Sequence, residues 1–204
     1  YSWRRYGELM TLWLATTNDG KLKEFKNLLM SKPVELKTLK DLGTYSSPKE
    51  DGDSFEANSL IKARACRAVV KDGWVVAEDS GLVCDGLNGM PGIYSARYAG
   101  DNARDSENTS KVLKMLKLRS TNRDARFVCC LTAISPEGEV HVFNGTIEGQ
   151  ISPTIKGSAG FGYDPIFIPQ GETQTMAELG AGYKAKNSHR SKAIKQFIAQ
   201  VLEA

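Results

Sequence analysis

Trp74-Val75-Val76-Ala77-Glu78-Asp79-Ser80-Gly81 sets two carboxylates directly behind an apolar, β-branched and aromatic run. The run predicts a short strand over Trp74 to Ala77 that delivers its polar neighbours Glu78 to Gly81 to a loop at its end. On its N-terminal side, Asp53 to about Lys71 predicts a helix, with Asp53 as N-cap and Glu56 three residues later completing a capping box. Gly73 ends that helix. Further back, Trp13 to Thr16 predicts a strand, Thr17 to Gly20 a tight loop, and the spacing of Leu22, Phe25, Leu28 and Leu29 a helix. On the C-terminal side, the glycine-rich stretch from Gly81 to Gly100 excludes regular helix. Asp105 to Leu118 then predicts one with Val112, Met115 and Leu116 inward. Arg126 to Ile134 and Glu139 to Ile147 flank Ser135-Pro136-Glu137-Gly138, a hairpin signature. The last helix starts near Ser188 and buries Ile194, Phe197, Ile198, Val201 and Leu202. Strand-helix units mixed with a long hairpin give an α/β fold with a mixed sheet, and no Pro/Ser linker divides it.

Composition narrows the function classes. A formal charge of +3 over 204 residues, with Lys and Arg interleaved with Asp and Glu, offers no nucleic-acid or membrane surface, so an anionic partner must meet a local site. Cys66, Cys84, Cys129 and Cys130 lack CxxC spacing, which argues against zinc and a disulfide framework and fits a reducing cytoplasm. Arg4 and Arg5 before Leu9 to Ala15 faintly imitate a signal peptide. A first buried strand explains Leu12 to Ala15 better, because Thr11 interrupts the run and no small-x-small cleavage site follows. Residues 1–9 are therefore expected to be an N-terminal extension, not necessarily native, ahead of a single domain over 10–204. No transmembrane span is expected.

Five polar, glycine-bearing segments are candidates for chemistry. Thr16-Thr17-Asn18-Asp19-Gly20-Lys21 joins a strand end, a glycine and a helix N-terminus, which suits a triphosphate; an ordinary capped helix start reads equally well, since the P-loop spacing is missing. Glu50-Asp51-Gly52-Asp53 and Glu78-Asp79-Ser80-Gly81 bring acidic groups from two loops, the hard oxygen donors that Mg2+ shares with phosphates and water; helix caps and solvated turns are the alternative. Phe161-Gly162-Tyr163-Asp164-Pro165-Ile166-Phe167 offers aromatics for stacking on a base, or core aromatics in a bent strand. Lys184 with Ser188-His189-Arg190 offers donors at a helix start, or a capped, solvated terminus.

In this order, and together with Pro91-Gly92-Ile93-Tyr94-Ser95-Ala96-Arg97-Tyr98, the segments resemble the inosine triphosphate pyrophosphatase family, which acts on non-standard purine nucleotides. The likeness runs from about Leu12 to the C-terminus. It implies an elongated mixed β-sheet with flanking helices and two lobes around a nucleotide cleft, and a homodimer, and it agrees with Mg2+ as cofactor. It further implies Asp79 as proton acceptor and metal ligand, Glu50 as second metal ligand, Ser80 as a substrate contact, and Thr16 to Lys21 as the phosphate-side loop. Phe161, Gly162, Tyr163 and Asp164 match the base-binding segment, and Lys184, His189 and Arg190 further nucleotide contacts. Phe55-Glu56-Ala57-Asn58 departs from the Phe-Glu-Glu-Asn of many members and loses a carboxylate. Glu78 replaces the Asp usual in bacterial members.

The implied reaction is release of pyrophosphate from ITP, dITP or XTP by attack of water on the α-phosphorus. Lys21, Lys184 and loop N–H groups would offset the charge. N–H donors of the 161–164 segment and His189 or Arg190 would select a 6-oxopurine over adenine. The competing readings are a nucleotide-binding or sensing module without catalysis and a pyrophosphatase for modified pyrimidine nucleotides.

Overall fold

The computed structural model describes residues 9–203, so the expected N-terminal extension, apart from Leu9, lies outside the described residues. The chain runs through β1 (Met10–Leu14), α1 (Asp19–Leu29), β2 (Val34–Thr38), α2 (Phe55–Val69) and β3 (Trp74–Cys84). It continues through α3 (Asp105–Arg119), β4 (Asp124–Ile134), β5 (Val140–Ile151), β6 (Phe167–Pro169), α4 (Met176–Asn187) and α5 (His189–Phe197). The six strands form one sheet in the order β2-β1-β3-β4-β5-β6. β1 is parallel to β2 and β3, and β6 is antiparallel to β5, so the sheet is mixed, as the alternation of strand-helix units and a hairpin predicts. None of the described helices is long and apolar enough to cross a membrane.

The chain packs as two compact units, each built from more than one stretch of sequence. The first holds the described residues up to Asp79, Cys130–Asn144 and those from Lys192 onward. Its core joins Trp13 and Ala15 at the end of β1 to Ala63, Cys66 and Val70 from α2 and to Val75, Ala77 and Ile134. The α2 stripe lies at helical spacing, and β3 is buried along nearly its whole length, which is why it reads as a continuous apolar run.

The second unit holds Ser80–Cys129 and Gly145–Ser191. Leu82 and Cys84 of β3, Val112 and Leu116 of α3, and Phe127, Ile147, Ile166 and Phe167 form its core. Phe127 and Phe167 meet as tilted rings 4.5 Å apart. Each large side chain so enclosed adds roughly 2 kcal/mol of hydrophobic stabilisation.

Three expectations shift. Glu78 to Gly81 are not a loop: β3 extends through them to Cys84, so Asp79 is fixed on a strand rather than on a turn. The N-cap of α2 is Ser54, not Asp53, because the Ser54 hydroxyl accepts the Ala57 amide at 3.0 Å and Glu56 falls too early to complete the box. Lys184 belongs to α4, the helix before the one that begins at His189.

Candidate active site

The first unit carries a centre of carboxylates and lysines. After β1, the Thr16 hydroxyl accepts the Asn18 amide at 3.2 Å, and the Asn18 side chain accepts the Lys21 amide at 3.0 Å. Thr16 to Lys21 is thus a capped helix start, and Thr17, Asn18 and Asp19 remain exposed. Within it, Lys21 turns its ammonium onto Glu78, with Nζ 2.5 Å from Oε1. Glu78 is 2% exposed, so the arm whose role the sequence leaves open holds Lys21 in place.

Glu50 and Asp79 converge on a residue the sequence reading missed. Lys62 Nζ lies 3.0 Å from Glu50 Oε2 and 3.3 Å from Asp79 Oδ1. The two carboxylates are therefore close enough to share one cation. Lys62 sits on α2 beside the buried stripe of Asn58, Ser59, Ala63 and Cys66. A lysine one helical turn after Asn58, on the border of a buried face that includes polar side chains, is the signal that could have revealed it. Asn58 fixes the Glu50 loop by accepting the Gly52 amide at 2.9 Å. Gly52 permits this closeness, since a Cβ there would stand 2.7 Å from that of Ala57. Beneath, the Ser59 and Thr132 hydroxyls lie 2.6 Å apart and tie α2 to β4.

Asp79 is 8% exposed, and its Oδ2 has no hydrogen-bond partner among the described residues. Burial pushes its carboxyl above the ordinary range; Lys62 and Lys21 oppose the shift, while Glu78 and Glu50 add to it. Burial alone would lower the Lys62 ammonium, yet Asp79, Glu78 and Glu50 together hold it above its usual value. The donors are hard oxygens, and a buried carboxylate oxygen is left unsatisfied, so these residues fit Mg2+ shared with phosphates and water. Among the described residues, no three His, Cys, Asp or Glu side chains form a ready-made metal cage.

The second unit carries an aromatic and cationic centre. Phe161 is half-buried, with the Lys184 ammonium 4.1 Å and the Arg190 guanidinium 5.6 Å from its ring centroid. Arg190, although 2% exposed, donates to the Ser80 hydroxyl at 2.9 Å. His189 stacks on Phe127 with centroids 4.8 Å apart. Asp164 is turned inward: its Oδ2 accepts Lys184 at 2.7 Å and the Phe161 amide at 3.0 Å. Gly160 makes room for that carboxylate at φ +79°, where a Cβ would lie within 2.1 Å of Oδ2. Tyr163 is also inward, donating its hydroxyl to the Ser95 carbonyl at 2.6 Å, and burial pushes its phenol upward. Ser95 in turn accepts the Leu82 amide at 2.9 Å, so the Pro91 to Tyr98 segment braces this loop.

The sequence reading assigns the amides of residues 161–164 to the base. Here the Phe161 amide is engaged by Asp164, and the Gly162 amide by Asp105 at 2.7 Å. Two of these amides are thus already used within the protein, and the side chains of Lys184, His189 and Arg190 carry further donors. Asp105 gave no sequence signal beyond its place at a helix start.

Residues 12–200 match the model of the Ham1 family. A dITP/XTP pyrophosphatase from Bdellovibrio bacteriovorus is 52% identical over 195 residues, covering 94% of this chain and 98% of that protein. The solved HAM1 protein from Coxiella burnetii superposes with a TM-score of 0.87 at 34% identity, covering 96% of this chain and all of that one. The Ham1 protein of Staphylococcus aureus gives 0.83 at 39% identity, covering 93% and 96% of the two chains. With a family match over residues 12–200 and relatives this similar across almost the whole chain, the protein belongs to the Ham1 family.

Proposed function

We propose that the protein hydrolyses ITP, dITP and XTP to the nucleoside monophosphate and pyrophosphate with Mg2+, as a cytoplasmic homodimer. The observation that carries this reading is the buried Asp79 carboxylate, with one oxygen unpartnered, within reach of Lys62 and beside Glu50, Glu78 and Lys21. Relatives named dITP/XTP pyrophosphatase support the choice of substrate.

Asp79 and Glu50 would hold Mg2+, with Glu78 in reserve once Lys21 leaves it. The bound ion supplies charge neutralisation at the phosphates and lowers the pKa of a coordinated water. Asp79 orients the attacking water and takes its proton through the carboxylate oxygen that has no hydrogen-bond partner among the described residues. Oxygen from that water bonds to the α-phosphorus, the bond to the bridging oxygen breaks, and pyrophosphate leaves. Lys21 and Lys62 stand where negative charge accumulates. Phe161 stacks on the base, and Lys184, His189 or Arg190 donates to its 6-oxo group, a hydrogen bond that the amino group of adenine cannot accept. Guanine also carries the 6-oxo group, so its rejection depends on leaving the 2-amino donor unpaired.

Pyrophosphate release is to be measured across ITP, XTP, dITP, ATP, GTP and dUTP at fixed Mg2+ and again with EDTA. Turnover of ITP, XTP and dITP that EDTA abolishes is expected. GTP hydrolysed as well as ITP would defeat the selectivity argument, preference for dUTP would move the substrate class to pyrimidines, and binding without turnover would make the protein a sensor.

A further inference from the structure

We infer that Lys62 is a resident counter-cation which occupies the space between Glu50 and Asp79 in the ligand-free protein, so that a divalent ion enters this centre together with the nucleotide's phosphates rather than before them. The inference rests on the reading of Glu50 and Asp79 as metal-holding residues and adds an order of binding to it.

Three carboxylates, Glu50, Glu78 and Asp79, face two ammonium groups. Lys62 contacts Glu50 at 3.0 Å and Asp79 at 3.3 Å, with its side chain 15% exposed. Lys21 closes on Glu78. Most of the negative charge that would attract a free divalent ion is thus already answered. An ion entering between Glu50 and Asp79 meets an ammonium that little solvent screens. A triphosphate changes the balance because its oxygens offer both lysines new partners. Each ammonium that moves from carboxylate to phosphate frees a carboxylate oxygen for the metal. Mg2+ characteristically binds through one or two carboxylates plus phosphate oxygens, which is the donor set this exchange produces. Metal and nucleotide then raise each other's affinity by one and the same factor.

The test is binding of Mn2+ alone, read from the loss of its free-ion paramagnetic resonance signal, to the full chain without nucleotide. The wild type is expected to bind weakly. Lys62→Gln, which removes the ammonium, should bind on the order of tenfold more tightly, since a divalent ion no longer faces a like charge nearby. Lys62→Arg retains the cation and should bind as weakly as the wild type. Glu50→Gln added to Lys62→Gln should abolish the gain. Equal affinity in wild type and Lys62→Gln, or a gain in Lys62→Arg as well, would overturn the inference. Hydrolysis of ITP by the wild type is a separate readout: its failure would remove the proposed reaction, whereas the Mn2+ series reports on Lys62 either way.

Discussion

Around Asp79, two ammonium groups stand among three carboxylates; around Phe161, an ammonium and a guanidinium stand over an aromatic ring with Asp164 tucked beneath. Both centres set lysine against carboxylate, yet the pairs differ in kind. On the proposed reading, a metal and a phosphate tail would reclaim the carboxylates that Lys62 and Lys21 bind. Lys184 and Asp164 have side chains 9% and 3% exposed, and Asp164 also holds the Phe161 amide, so this pair shapes a loop. If so, a similar contact would serve as an exchangeable charge in one unit and a brace in the other. What separates them is the neighbourhood: an unpartnered carboxylate oxygen at Asp79, and an aromatic platform at Phe161.

The sharpest break of the comparison is Asp79→Asn, expected to lower kcat for ITP by about a thousandfold, the scale of losing a positioned general base. Steady-state pyrophosphate release checks it, and near-normal turnover would remove Asp79 from the chemistry. Lys184→Met should act on stability, beyond any contact that Lys184 makes to the base. Removing the ammonium from this buried pair costs about 3 kcal/mol, read as a lowered urea midpoint at unchanged slope. An unaltered midpoint would make the pair exchangeable after all.

Phe161→Ala tests the platform. Loss of one base-stacking contact should raise KM for ITP roughly tenfold while leaving kcat near wild type. A fall in kcat with unchanged KM would place Phe161 in the reaction rather than in recognition.

The smallest effect concerns the cysteines. Burial pushes the Cys66 thiol to about 11 and the Cys84 thiol to about 12, from a usual value of 9.0. Both remain protonated in the folded chain at about pH 8, so labelling by a disulfide reagent should be slow until denaturant is added. The shifts are upward, so their stabilising contribution is complete below about 9 and is lost as pH rises through about 11 for Cys66. Fast labelling of the native protein would contradict this burial.

The α/β class was legible because apolar strands, helical stripes and the Ser135–Gly138 turn each carry their own periodicity. β2 was not, since Glu35 and Lys37 alternate within a short strand whose apolar residues are sparse. α4 was overlooked although Thr175 and Glu178 form a capping box, because its helical face carries almost no apolar periodicity. At the candidate site, the polar segments holding Glu50, Asp79, Lys21, Phe161 and Arg190 stood out in the sequence, while the roles expected of them came from the family resemblance. Lys62 and Asp105 were not, because both act through partners distant in sequence, Asp79 and Gly162, and only the folded chain supplies those pairings. Tyr163 and Asp164 were seen but face inward, a direction that residue type does not encode.

The most direct measurement is hydrolysis of ITP in 18O-labelled water with mass analysis of both products. The account predicts IMP carrying one heavy oxygen and unlabelled pyrophosphate, because water directed by Asp79 attacks the α-phosphorus. Label in the pyrophosphate, or release of IDP and inorganic phosphate, would contradict it.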